Sequence, residues 1–142
     1  LHPDFALASY GLALVHMIGG KLDQSVSDME KVVHAYPESS FYRAHYAYAL
    51  AKAGRTQEAR KILGELIEES KTKYVSWLGI AYIYVGLDEQ DHSFAALELA
   101  YQQGDTRMYS VRSRAHEGLE SAWIPDPRFA QMLKKIGLPP LN

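Results

Sequence analysis

Apolar residues fall at helical spacing along most of the chain. Leu12, Val15 and His16 recur at i, i+3 and i+4, and Tyr46, Ala49 and Leu50 repeat that spacing further on. The stretches near 22–36, 56–70 and 90–104 carry stripes of their own, such as Ile62, Leu66 and Ile67 with Leu63 beside them. Between the stripes, Gly20 and Gly54 can adopt the left-handed turn that ends a helix, and Thr56 is the expected N-cap after Gly54. Pro37 closes the first pair of stripes, because the residue before a proline disfavours helix. The pattern predicts helices in pairs, joined by tight turns.

The pairs repeat. Displaced by 34 residues, Ala13, Ala47 and Ala81 fall into register, as do Leu12, Tyr46 and Ile80. Ser25, Ala59 and Ser93 follow, then Met29, Leu63 and Leu97, then Val32, Leu66 and Ala100. Asp88 stands where the glycine turn is expected a third time. The register divides the chain into a stub over 1–5, repeats over 6–39, 40–73 and 74–107, and a remainder over 108–142. Small residues at Ala13, Ala47, Ala59 and Ala81 let the two helices of a hairpin approach closely.

These residues resemble the tetratricopeptide repeat family, a 34-residue helix pair with Trp, Leu, Gly or Ala, Tyr, Gly, Ala and Pro at set places. The third period carries Trp77, Ile80, Ala81 and Tyr84, and the second Ala47, Gly54, Ala59 and Leu63. The first carries Leu12, Ala13, Gly20 and Pro37. Departures are Ser25 and Ser93 for the small Ala, and Lys71 and Asp105 where Pro would fall. The resemblance implies an all-α fold, a right-handed superhelical solenoid of antiparallel helix pairs with a C-terminal capping helix.

Both flanks extend this expectation. Pro3 lies one period before Pro37, so Leu1, His2 and Pro3 read as the tail of an upstream repeat. Downstream, Asp126 suits an N-cap, Pro127 the first helical position and Gly137 the helix end, which predicts a short cap carrying Phe129, Met132 and Leu133. Arg114 to Trp123 could add a helical turn or two, and Trp123 and Phe129 are expected to plug the end of the solenoid. The ending Asp126-Pro127-Arg128-Phe129 with Gly137-Leu138-Pro139 resembles the C-terminus of repeat arrays in bacterial multidomain regulators. There the array follows a winged-helix, nucleotide cyclase or kinase domain, which implies a cytoplasmic protein, or a periplasmic one if its parent is membrane-anchored.

Charge and chemistry narrow the function. Fifteen Lys and Arg against 17 Asp and Glu leave a net charge of −2, which argues against a dedicated nucleic-acid or anionic-membrane binder. With no Cys there is no disulfide, thiolate ligand or Cys nucleophile. The six histidines, His2, His16, His34, His45, His92 and His116, form no close ligand pair. His16 reads as a packed side chain with one hydrogen bond rather than a ligand, and adjacent His116 and Glu117 diverge on a helix. Gly19-Gly20 lacks the following residues of a phosphate loop. The basic run from Arg107 to Arg114 and the acidic Glu65, Glu68 and Glu69 read as solvated surface. No catalytic residue, cofactor or metal site is expected, and no membrane span.

In the resembled family, groove contacts come from the second, fifth, ninth, twelfth and thirteenth residues of each repeat. Carried onto this chain, these are Leu7, Tyr10, Leu14, Met17 and Ile18, then Phe41, Ala44, Tyr48, Ala51 and Lys52, then Val75, Leu78, Tyr82, Val85 and Gly86. Only Lys52 is charged, and the single Asn of the chain is its last residue, so a clamp for a C-terminal carboxylate is disfavoured. Ten Tyr instead suggest an apolar, tyrosine-studded groove for a protein or peptide partner. Three alternatives stay open: self-association as a homodimer, a small-ligand site, or plain packing between repeats, with the chain's own tail a candidate to fill the groove.

Overall fold

The computed structural model describes residues 2–114 and 119–141. Among these residues the secondary structure is helical throughout, with no strand. Helices α1 (Pro3–Ile18) and α2 (Leu22–Ala35) form the first hairpin, α3 (Ser40–Lys52) and α4 (Thr56–Glu69) the second, α5 (Trp77–Gly86) and α6 (Gln90–Gln103) the third. Two 3-10 turns (Thr106–Ser110 and Leu119–Trp123), a short α7 (Val111–Arg114) and α8 (Pro127–Lys135) complete the chain. The hairpins stack in order, with α2 on α3 and α3 on α5, giving an all-helical stack of antiparallel helix pairs.

Local chemistry explains where the helices begin and end. Gly20 and Gly54 take φ of 73° and 82° between the helices of the first two hairpins. Asp88 takes φ of 57° at the equivalent place, so the third turn keeps the same backbone without glycine. Ser39 and Ser76 cap α3 and α5 by accepting from the N–H groups of Tyr42 and Gly79. Thr56 does not cap α4. Its helix follows the left-handed Gly54 so closely that Arg55 occupies the N-cap position and Thr56 already lies in the first turn. Asp126 accepts from Arg128 N–H to cap α8, Pro127 opens that helix, and Gly137 follows it at φ 78°. Pro3 opens α1, whereas Pro37 lies in the turn that follows α2.

Two serines stand at the position where Ala59 sits in the second hairpin. Ser25 donates to the carbonyl of Ala13 at 2.8 Å, and Ser93 donates to the carbonyl of Ala81 at 2.9 Å. Each hydroxyl is fully buried and stitches its hairpin together at the same place. The departure from the small-Ala pattern therefore adds a hydrogen bond without opening the packing.

The joints between hairpins differ. Tyr10 of α1 meets α3 through rings, 5.2 Å from Tyr42, 5.3 Å from His45 and 6.3 Å from Phe41 between centroids. Between α3 and α5 one ring pair, His45 and Tyr82 at 5.1 Å, is joined by small residues in close contact. A Cβ added at Gly79 would sit 2.7 Å from Ala44 Cβ, and one at Gly86 would sit 3.1 Å from Ala51 Cβ. Aromatic rings therefore hold α1 at a distance from α3, while glycine and alanine let α5 close in.

Candidate functional site

The family-derived positions spread over α1, α3 and α5, and burial divides them. Ala44, Val75 and Leu78 are packed between hairpins and inaccessible, as are Ala51 and Val85. Tyr48 and Tyr82 are buried as well. Tyr10, Leu14, Met17 and Phe41 are half-buried, while Leu7, Ile18 and Lys52 are exposed. What remains reachable thus belongs mainly to α1.

The chain's own C-terminal segment covers much of the rest. Leu119 lines a narrow crevice with Leu14, Met17, Met29, His45 and Tyr48. Four residues on, Trp123 is fully buried and stacks on Tyr82, with ring centroids 5.4 Å apart and planes inclined by 18°. Its indole N–H donates to Ser93 Oγ at 2.8 Å, so that hydroxyl donates to Ala81 and accepts from Trp123. Phe129 of α8 backs the indole at 5.9 Å, and Gln90 donates to the carbonyl of Ala122. Trp123 closes α5 and α6 much as His45 and Tyr48 close α1 and α2 beside Ser25.

Charged groups pin this closure in place. Arg128 binds Asp126 and Asp91 at 2.7 Å each and lies 4.3 Å above the Phe94 ring. Lys135 pairs with Glu98, and Arg60 pairs with Glu89 across two hairpins. Arg107 binds Asp105 and sits 4.4 Å above the Phe41 ring while donating to Tyr74. Arg112 donates to the carbonyls of Pro139 and Pro140. Of the basic run, Arg112 therefore fastens the segment at Pro139 and Pro140, while Arg107 ties the turn after α6 to Phe41 and Tyr74. Glu69, read from sequence as part of a solvated face, accepts both bonds from Arg43 at 2.8 and 2.9 Å. Burial pushes its carboxyl up, but Arg43 and Lys73 outweigh that and hold it below its ordinary value.

Metal-ligating side chains do not cluster among the described residues. No group of three His, Asp or Glu side chains converges there. His16 Nδ1 lies 2.8 Å from Asp28 Oδ2, a packed pair between α1 and α2. His116 and Glu117 lie outside the described residues. Burial raises the phenols of Tyr46 and Tyr84 above their ordinary value, so both stay protonated at neutral pH. No helix among the described residues is long and apolar enough to cross a membrane.

Comparison with known proteins agrees with the fold. A tetratricopeptide repeat family model matches residues 45–71, which covers most of α3 and all of α4. Repeats of this kind generally mediate protein–protein interaction and are typically non-catalytic scaffolds. No curated protein and no solved structure matches the chain.

Proposed function

We propose that this chain is a non-enzymatic protein-binding scaffold that receives an apolar or amphipathic helical segment at its N-terminal end. Leu7, Tyr10, Leu14 and Met17 of α1 supply the contact, with Phe41 beside them and Lys52 at the rim. The carrying observation is the uneven closure of the stack. Tyr82 is sealed at 0% exposure beneath Trp123 of the C-terminal segment, while Leu7 is 62% exposed. An exposed apolar helix face on a rigid stack is the surface that helix-in-groove recognition uses. The ending over 126–139 supports a parent protein of the bacterial multidomain regulator kind, with this array as its interaction part in the cytoplasm.

The test selects binders from a displayed library of amphipathic helical peptides. Leu14→Glu and Met17→Glu should each weaken the selected peptides at least about tenfold, with helicity by circular dichroism unchanged. Peptides that bind both variants as well as the parent chain contradict the assignment.

A further inference from the structure

We propose, resting on the scaffold reading above, that Leu119 is a displaceable latch over an apolar anchor site on the first hairpin. The incoming helix opens it by inserting an apolar side chain larger than leucine where Leu119 sits.

The turn over Leu119–Trp123 is seated at two places. Leu119 lines a crevice with Ala13, Leu14, Met17 and Met29 of the first hairpin and Tyr48 of α3. Trp123 sits on Tyr82 and Ser93 of the third hairpin. Ser121 and Ala122, between them, are exposed. One short turn therefore ties the first hairpin to the third.

The two seats are unequal. Trp123 is at 0% exposure, stacks on Tyr82, donates to Ser93 Oγ at 2.8 Å and is backed by Phe129. The carbonyl of Ala122 beside it accepts from Gln90. The Leu119 side chain has only van der Waals contact to offer, and its crevice is under-filled. About 180 Å³ there is empty, partly open to solvent and too thin to admit water. Atoms lining such a gap lack partners on one side and forfeit dispersion contacts. Leu119 is the weak end of the turn, and local opening begins where contacts are fewest.

The crevice also selects what displaces Leu119. Ser25 and His45 line it too, but they already bond the carbonyls of Ala13 and Phe41 at 2.8 and 2.9 Å. An incoming group therefore gains by filling space, and one larger than leucine makes the contacts that Leu119 leaves unmade. Met17 and Met29 adapt the lining to its shape, since an unbranched thioether changes rotamer easily. A helix laid on the half-buried Leu14 and Met17 reaches this space only by moving Leu119 aside. Trp123 stays seated. Until Leu119 moves, the apparent affinity is reduced by the fraction of chains that are open.

Helical peptides selected against the whole chain test this. Leu119→Ala empties the seat without touching Trp123 and should tighten those peptides at least about fivefold, because fewer chains are closed. Since the chain has no cysteine, Leu119→Cys carries a single thiol. Its reaction with a maleimide should quicken at least about tenfold when peptide saturates the chain. The Trp123 indole N–H should meanwhile keep its protection from solvent exchange by NMR. Peptides that need Leu14 and Met17 yet bind Leu119→Ala no tighter overturn the latch and leave the scaffold reading standing. So does a Leu119→Cys thiol that peptide shields or leaves unchanged, or an indole N–H that peptide releases to solvent. A library without a peptide sensitive to Leu14→Glu or Met17→Glu overturns the scaffold reading and the latch together.

Discussion

The first and third hairpins place matching residues in opposite surroundings. Val75, Gly79 and Ile83 of α5 are sealed against α3, whereas Leu7, Gly11 and Val15, their counterparts on α1, face outward. Ser93 accepts an indole from the C-terminal segment, while Ser25 makes the hairpin bond alone among the contacts the two serines share. A residue's role in a stacked fold is therefore set by what lies on the next layer, not by its place in the repeat. One end is finished with Trp123, Phe129 and an ion-paired α8. On α1, at the other side of the described hairpins, Phe5, Leu7, Leu12, Val15 and Ile18 are each more than half exposed.

The largest test removes the finish. Trp123→Ala should cost about 3–5 kcal/mol in urea unfolding, because it empties a fully buried site against Tyr82 and Phe129. Trp123→Phe should recover part of that and leave Ser93 without its indole. A loss below about 1 kcal/mol for the alanine variant would show that the segment merely rests on the stack.

A smaller effect separates the two serines. Ser93→Ala should cost about 1–3 kcal/mol, since it strands a buried indole N–H and removes the bond to the Ala81 carbonyl. Ser25→Ala removes only the bond to the Ala13 carbonyl and should cost about 1 kcal/mol. Ala59 already occupies this position in the second hairpin, so neither change creates a clash. Equal losses would mean that the Trp123 bond contributes nothing.

Acid gives the smallest expected change. The Arg60 bond lowers the Glu89 carboxyl and the Lys135 bond lowers that of Glu98, each against the opposing effect of burial. Carboxyls lowered in the folded state contribute stability that is complete above the ordinary value of 4.5 and is lost as pH falls through their lower folded values. The melting temperature should therefore drop on acidification below that value, and less steeply in a Glu89→Gln, Glu98→Gln chain. An identical acid slope in that double variant would remove these pairs from the account.

Much of the framework was legible in the chain. The expected stripes at 22–36, 56–70 and 90–104 each overrun α2, α4 and α6 by one residue, because periodicity and glycine turns are local signals. The α8 cap was readable for the same reason, with Asp126, Pro127 and Gly137 each in the place its backbone preference dictates. Thr56 misled because cap propensity says nothing of the residue spacing left after a left-handed glycine. Asp88 read as a break, although an aspartate tolerates the same φ. A turn ending at Trp123, with Trp123 and Phe129 as plugs, was expected and is found; its seat on Tyr82 and Ser93 could not be read, since a short turn lying on distant helices leaves no period. The signal that was available was Trp123 itself, a large ring beside two prolines and outside the repeat register.

The most direct test of the account compares two glycines that hold one repeat position. In dilute monomeric protein, Gly79→Ala should lower unfolding stability by about 1–3 kcal/mol, because its Cβ would press on Ala44 at 2.7 Å. Gly11→Ala, with nothing within 4 Å, should raise stability by about 0.5–1 kcal/mol. Opposite signs confirm that the same face is covered on α5 and bare on α1; two losses of similar size would contradict it.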